Sequence, residues 1–188
     1  MPFTISDFRG KALNKAGARA NLFEVTMTAP SIATELNADG GKEFSFACKG
    51  AGIPPMTVGV VEVPYFGRVV KVPGNKTFEN WSVTIINDEE FHLRNGFEKW
   101  VAAMGTHEGN VATIGNTFGS QGGSLFGSAV VQHYSKGGGK IAAAEYKFVN
   151  IFPVSVAEIT LGWDANDAIE EFAVEFAYDY WTHESVVT

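Results

Sequence analysis

An antiparallel, mainly β chain with one flanking α-helix, arranged as a sandwich or small barrel, is what this sequence predicts. Three observations carry that prediction. Short stretches rich in Val, Ile, Phe, Tyr and Trp recur along the 188 residues, separated by turns rich in Gly, Pro and Asn. Near the C-terminus Phe172, Val174, Phe176, Tyr178 and Tyr180 alternate with Glu171, Ala173, Glu175, Ala177 and Asp179, the period of a half-buried strand. Leu93, Phe97, Trp100, Val101 and Met104 instead repeat at helical spacing and define one helix face.

Taken in order, residues 1–20 lack periodicity and read as an arm at the start of a single domain spanning 1–188. Asn21 to Met27 reads as the first strand, and Pro30 to Gly41 as a connection closing in the turn signal Asp39-Gly40-Gly41. Residues 43–49 read as a second strand, with Cys48 as a small core residue. An extended excursion over 54–73 is bounded by prolines. Pro64 has no N–H to donate, which places this segment at an edge or outside the main sheet. A long exposed edge invites pairing with another chain. Thr77 to Ile86 reads as a strong strand. Asn87 then caps the helix, with Glu90 as its capping-box partner and Ile86 and Phe91 at the staple positions. Gly96 inside that helix costs about 1 kcal/mol relative to Ala, a cost that close backbone packing would explain. Residues 105–127 form a long Gly-rich loop. Ser128 to Tyr134 and Ile141 to Val149 read as strands around a Gly137-Gly138-Gly139 turn, and Pro153 breaks the chain. Ile159, Leu161 and Trp163 alternate as a further strand before the Asp164 to Asp167 turn, which brings the expected total to about eight strands.

Hydrophobic residues at 45% and charged residues at 19% are the composition of a chain with a real core, not of a disordered one. The net charge of -7, with no basic patch, excludes a free-standing nucleic-acid binder, which draws most of its affinity from phosphate contacts. The charge is uneven. Residues 1–19 carry Arg9, Lys11, Lys15 and Arg19 against Asp7, whereas no Lys or Arg follows Lys147 and eight acids do. A basic start and an acidic end point to contact between copies; a solvated acidic face is the plainer account. Cys48 stands alone, so no internal disulfide forms. No secretory signal pattern opens the chain, and no apolar run approaches a membrane span.

No catalytic, cofactor-binding or metal-ligating set emerges, and an enzyme is not expected. His92, His107, His133 and His183 are scattered without metal-ligand spacing. In Gly123 to Gly127 the Ser124 falls one place early for a nucleophile elbow. Gly139-Lys140 lacks the upstream Gly of a phosphate-binding loop, and Ile141 stands where Ser or Thr belongs. Trp81, Trp100, Trp163 and Trp181 each lie in phase with an apolar face and read as core.

Several runs carry a family resemblance: Asn21-Leu22-Phe23-Glu24-Val25, the stretch from Lys76 to Glu89, Phe97-Glu98-Lys99-Trp100, Ile151 to Val156, Leu161-Gly162-Trp163-Asp164 and Phe172 to Trp181. In order and spacing, over roughly residues 20–181, the chain resembles the tail tube protein of contractile-tailed, myovirus-type bacteriophages. The strand–Asn-Asp-Glu–helix junction and the Asp-Tyr-Trp ending are its most specific parts. The 105–127 loop, the arm and the 28–41 connection look longer than is usual for the family, and residues 182–188 extend beyond its usual end. The resemblance implies a hexameric ring that stacks helically inside a contractile sheath, with one sheet of each subunit lining a continuous β-barrel lumen. It implies a virion component made in the host cytoplasm, with sheath, baseplate and tail terminator proteins as partners. Phage DNA would pass through without specific binding, and no membrane or cofactor would be involved. Within that reading Glu158, Glu171, Glu175 and Asp179 are the lumen-facing candidates, because a DNA conduit should repel phosphates. Val60, Val63, Tyr65, Phe66 and Arg68 of the excursion are the candidates for contact between rings. Two alternatives remain open from sequence: the inner tube of a type VI secretion or extracellular contractile injection system, and a small-ligand-binding β-barrel.

Overall fold

A computed structural model describes residues 4–13, 17–105, 108–109 and 125–183. Its main sheet has seven strands in the order β1 (Phe23–Thr28), β6 (Gly127–Tyr134), β7 (Lys140–Val156), β8 (Glu171–Ala177), β5 (Trp81–Ile86) and β2 (Cys48–Ala51), with β9 (Tyr180–His183) also pairing with β7. All pairings are antiparallel. A separate two-stranded sheet joins β3 (Met56–Tyr65) to β4 (Arg68–Phe78). The α-helices among the described residues are a one-turn α1 (Ile5–Asp7), a short α2 (Lys42–Ala47) and the flanking α3 (His92–Met104). The mainly β, antiparallel expectation is borne out. The main sheet stays open, because β1 and β2 end it without pairing to each other, so the described residues of one chain close no barrel.

One long strand gives the sheet its shape. β7 changes neighbours halfway: Tyr146 to Val149 pair with β9, whereas Phe152 to Val156 pair with β8. The change falls at Asn150, which sits in the left-handed region at φ 56°. The facing strand line is interrupted at the same level, where β8 ends at Ala177 and β9 begins at Tyr180. There the Asn150 side-chain amide donates to Asp179 Oδ2 at 2.5 Å, and the Asp179 N–H donates to the Val149 carbonyl at 3.2 Å. Both strand lines therefore change at the same level, and the buried residues of the sheet gather in one core.

Alternation fills that core. Trp81, Val83 and Ile85 of β5 and Phe172, Val174 and Phe176 of β8 are all buried. α3 adds Leu93, Phe97 and Trp100, and α2 adds Phe44. The rings interlock: Trp81 stacks on Phe148 at 4.5 Å, and Phe97 meets Phe176 edge-on at 5.9 Å. The two central indoles also satisfy their polar edge, Trp81 donating to the Gly52 carbonyl and Trp100 to the Leu125 carbonyl, each at 2.7 Å. Each such side chain, fully buried, contributes about 1.5–3 kcal/mol. The close packing expected at Gly96 is present: a Cβ there would lie 2.8 Å from Leu36 Cγ, on the 3-10 helix Thr34–Gly41 that crosses α3.

Several expectations are corrected. Residues 43–49 are not a strand: α2 ends at Ala47, and β2 starts at Cys48. A strand would place Phe44 and Phe46 on one face, whereas a helix turns them apart. Phe44 is buried against Phe97 at 6.1 Å, and Phe46 is exposed. Thr77 to Ile86 is two strands, since Thr77 and Phe78 close β4 and Trp81 opens β5. Asn87 does not cap the helix. Phe91 adopts φ 56° and delays the helix to His92, so the Asp88 carboxylate accepts from the His92 and Leu93 N–H groups at 2.8 and 3.3 Å. Asn87 instead ties to Glu170 through backbone and side chain. Phe91 and Val101 are exposed, which removes the staple and narrows the buried helix face. Pro153 does not break the chain, because β7 runs through it at a register shift, where its missing N–H is tolerated. Residues 158–163 form no strand, and Trp163 is fully exposed instead of core. Trp181 is partly buried and packs against the core. The final alternating run is β8 and β9 with a break at Tyr178 and Asp179. Most of the 105–127 loop, including Ser124, lies outside the described residues, as does His107.

Candidate functional site

The excursion folds as a free-standing hairpin. β3 and β4 pair from Met56↔Phe78 to Tyr65↔Arg68, with a register shift between Val58 and Val60. Its two-residue turn, Phe66-Gly67, has φ of 41° and 77°, the left-handed pair whose twist suits a tight hairpin. Every residue of β3 is exposed, as are all those of β4 except Gly74 and Phe78. Register sorts the side chains into two faces. Val61 opposite Val72 and Val63 opposite Val70, with Tyr65 opposite Arg68, make a continuous apolar face. Val60 opposite Pro73, Glu62 opposite Lys71 and Pro64 opposite Val69 make the other. Glu62 and Lys71 approach to 3.8 Å in an exposed pair of small energetic weight. All five residues singled out for inter-ring contact lie here: Val63, Tyr65 and Arg68 on the apolar face, Val60 on the opposite one, and Phe66 at the tip, 91% exposed. A two-stranded hairpin with no covered face is marginal in water by itself.

The acidic candidates are spread over the other end of the fold. Glu171 and Glu175 share the outer face of β8, four residues and thus about 13 Å apart. Between and beside them lie small residues: Ala173 on β8, and Ser82 and Thr84 opposite on β5. Lys49 of β2 pairs with Glu171 at 2.5 Å. That ion pair offsets part of the Glu171 charge, whereas Glu175 forms no ion pair among the described residues. Asp179 lies past the end of β8, bonded to Asn150. Glu158 belongs to the irregular 157–170 segment and is exposed. The structure thus brings Glu171 and Glu175 onto one strand face and sets Glu158 and Asp179 on separate connections.

Two features escaped sequence reasoning, since each gathers residues from distant elements. Glu43, Asp88 and His92 converge at the start of α3, with His92 Nδ1 3.9 Å from Glu43 and 4.0 Å from Asp88. The Asp88 carboxylate is occupied there by the helix amides. An open groove of about 1070 Å³ runs along α3, lined by Arg94, Glu98, Val101, Met104, Val154 and Val156. It accounts for the exposure of Val101 and Val154. Elsewhere burial pushes the Cys48 thiol up to about 12, so the lone cysteine is an inert core group. No helix among the described residues is long and apolar enough to cross a membrane.

This fold is that of chains in contractile injection assemblies. A chain in the baseplate of the anti-feeding prophage superposes with a TM-score of 0.62 at 10% identity, covering 89% of this chain and 95% of that one. A chain of the sheath-tube complex of an extracellular contractile injection system, in its extended state, gives 0.59 at 11% identity over 96% and 97%. Sequence takes the identification further. The phage tail tube protein family model matches residues 18–184, and the chain belongs to that family. It is 32% identical to the tail tube protein gp19 of Enterobacteria phage T4 over 164 residues, 87% of this chain and 90% of that protein. It is 30% identical to the tail tube protein of Serratia phage KSP90 over 112 residues, 58% of this chain and 62% of that protein.

Proposed function

We propose that this chain is the structural subunit of a phage tail tube, with hexameric rings stacking into the inner tube that conducts DNA during ejection. The observation that carries this reading is the match to phage tail tube proteins along nearly the whole chain, at an identity well above the 10 and 11% of the injection-system chains. The hairpin supplies a physical reason for assembly. Its Val61, Val63, Val70 and Val72 face is half exposed in the isolated subunit and is covered when a neighbouring subunit packs on it. Each subunit then buries well over about 1,000 Å² against its neighbours. The role is non-enzymatic. Sheath, baseplate and terminator proteins are the partners of such a tube, and the virion is its place. The face of β8 bearing Glu175, with its small neighbours, suits a smooth negative wall that repels DNA.

Electron microscopy of the purified chain is the direct test, with rings or tubes having an open channel as the expected outcome. A monodisperse monomer at high concentration, under conditions that assemble tube proteins, overturns the reading. Removing Tyr65-Phe66-Gly67 should abolish tube growth while the subunit still folds. Replacing Glu171, Glu175 and Asp179 by Lys should leave tubes that retain DNA at low salt. Screening acts over about 8 Å at physiological ionic strength, so the effect belongs to DNA close to the wall. Finding these side chains on the outer surface of an assembled tube would end the lumen assignment alone.

A further inference from the structure

The 157–170 segment joins β7 to β8 and presents exposed apolar and acidic side chains. It is anchored at both ends: the Ala157 N–H donates to the Ala173 carbonyl at 2.8 Å, and Asn87 holds Glu170 through two hydrogen bonds. Between the anchors it exposes Leu161, Ile169 and Trp163, the last at 104%. A cavity of about 400 Å³ opens among Ile159, Leu161, Trp163, Ile169, Glu170 and Glu171. Glu170 and Glu171 are engaged with Asn87 and Lys49, so Glu158, Asp164 and Asp167 are the charges the segment presents. It is a pocket of mixed lining, in which Ile159, Leu161, Trp163 and Ile169 sit beside polar groups, with Glu158 among its acids.

The arm has the complementary chemistry. Thr4 caps α1, whose chain continues through one π-helical turn, Phe8–Ala12. Ile5, Phe8 and Leu13 are exposed, and Arg9 and Lys11 lie beside them in that turn. Most of the arm precedes residue 18, where the family match begins. Apolar groups of this size stay in water at a cost unless something covers them.

We propose that the arm of one copy docks on the 157–170 segment of another. Phe8 enters the pocket beside Trp163, and Arg9 and Lys11 face Asp164 and Asp167. This rests on the tube reading, because it needs copies held side by side or stacked. Charge complementarity selects a second copy over other occupants, since one chain carries both halves: a basic start and a C-terminal stretch without Lys or Arg after Lys147.

The test places Phe8→Cys and Trp163→Cys together in a Cys48→Ala background, assembles the protein and oxidises it mildly. A reducible ladder of linked subunits is the expected result. Separately, Arg9→Glu with Lys11→Glu should weaken assembly roughly tenfold at low salt, and adding Asp164→Arg with Asp167→Arg should restore it. Normal tubes with no ladder, or linkage confined within single chains, overturn the proposal and leave the tube reading standing. Charge reversal without effect on assembly does the same. Failure of the unaltered chain to form rings or tubes overturns both.

Discussion

The β5–β8 pair and the β3–β4 hairpin are both Val-containing antiparallel ribbons, yet one is the centre of the core and the other is bathed in solvent. In β5–β8, apolar residues occupy every second position, and their common face lies under α3. In β3–β4 both faces carry apolar groups and neither is covered. Burial here is decided by company, not by composition. The β5–β8 ribbon has strands on both sides and a helix on top, whereas the hairpin pairs with no other strand. The same sort of surface therefore stabilises the subunit in one place and stays exposed to solvent in the other.

Trp81→Ala should give the largest effect and tests the first half of that contrast. It removes the ring stacked on Phe148 and orphans the Gly52 carbonyl, and should cost the subunit about 3–5 kcal/mol in urea unfolding. Val61→Ser with Val63→Ser should change the same unfolding free energy by less than about 0.5 kcal/mol while preventing tube growth in the microscope. Similar losses of subunit stability from both regions would break the comparison.

A smaller change sharpens it. Asp88→Ala strips the cap from α3 and should cost about 1 kcal/mol, with tube growth preserved. The smallest effect is electrostatic. The hydrogen bond from Lys99 holds the Glu35 carboxyl below its ordinary value, tying the 3-10 helix to α3. A depressed carboxylate stabilises the fold above its unfolded pKa, and the contribution is lost as pH falls through the folded one. Glu35→Gln should therefore flatten the acid limb of the unfolding midpoint slightly, and leave tube growth at neutral pH unchanged. Solvent screening of this exposed pair keeps the effect small.

Where local pattern and tertiary environment agree, the sequence was readable. α3 and the inward face of β8 follow from period, and β1 and β6 from strand-forming residues bounded by turns; Pro64 allows an edge position or one outside the main sheet, and the hairpin takes the second. Phe44 to Cys48 misled because alternation over so few residues fits a strand as well as one turn of helix, and only Phe97 arbitrates. Trp163 misled because an aromatic in phase reads as core even where nothing is built to cover it. The cap fell one residue late because the left-handed Phe91 has no sequence signal. Of the candidate site, the prolines mark the 54–73 excursion, whereas its pairing into a hairpin through the Phe66-Gly67 turn is not read from them. The grouping of acids was only half legible, since strand period places Glu171 and Glu175 together but cannot foresee that Lys49 reaches one of them.

The hairpin is also a ruler with parity. Its ten-residue β3 strand spans about 33 Å, so its length fixes how far Phe66 stands from the body of the subunit. Shortening both strands by one residue turns the valine face over; shortening both by two restores the facing and withdraws the tip by about 7 Å. The number of residues in this ribbon is therefore constrained twice over, once as a distance and once as an even or odd count.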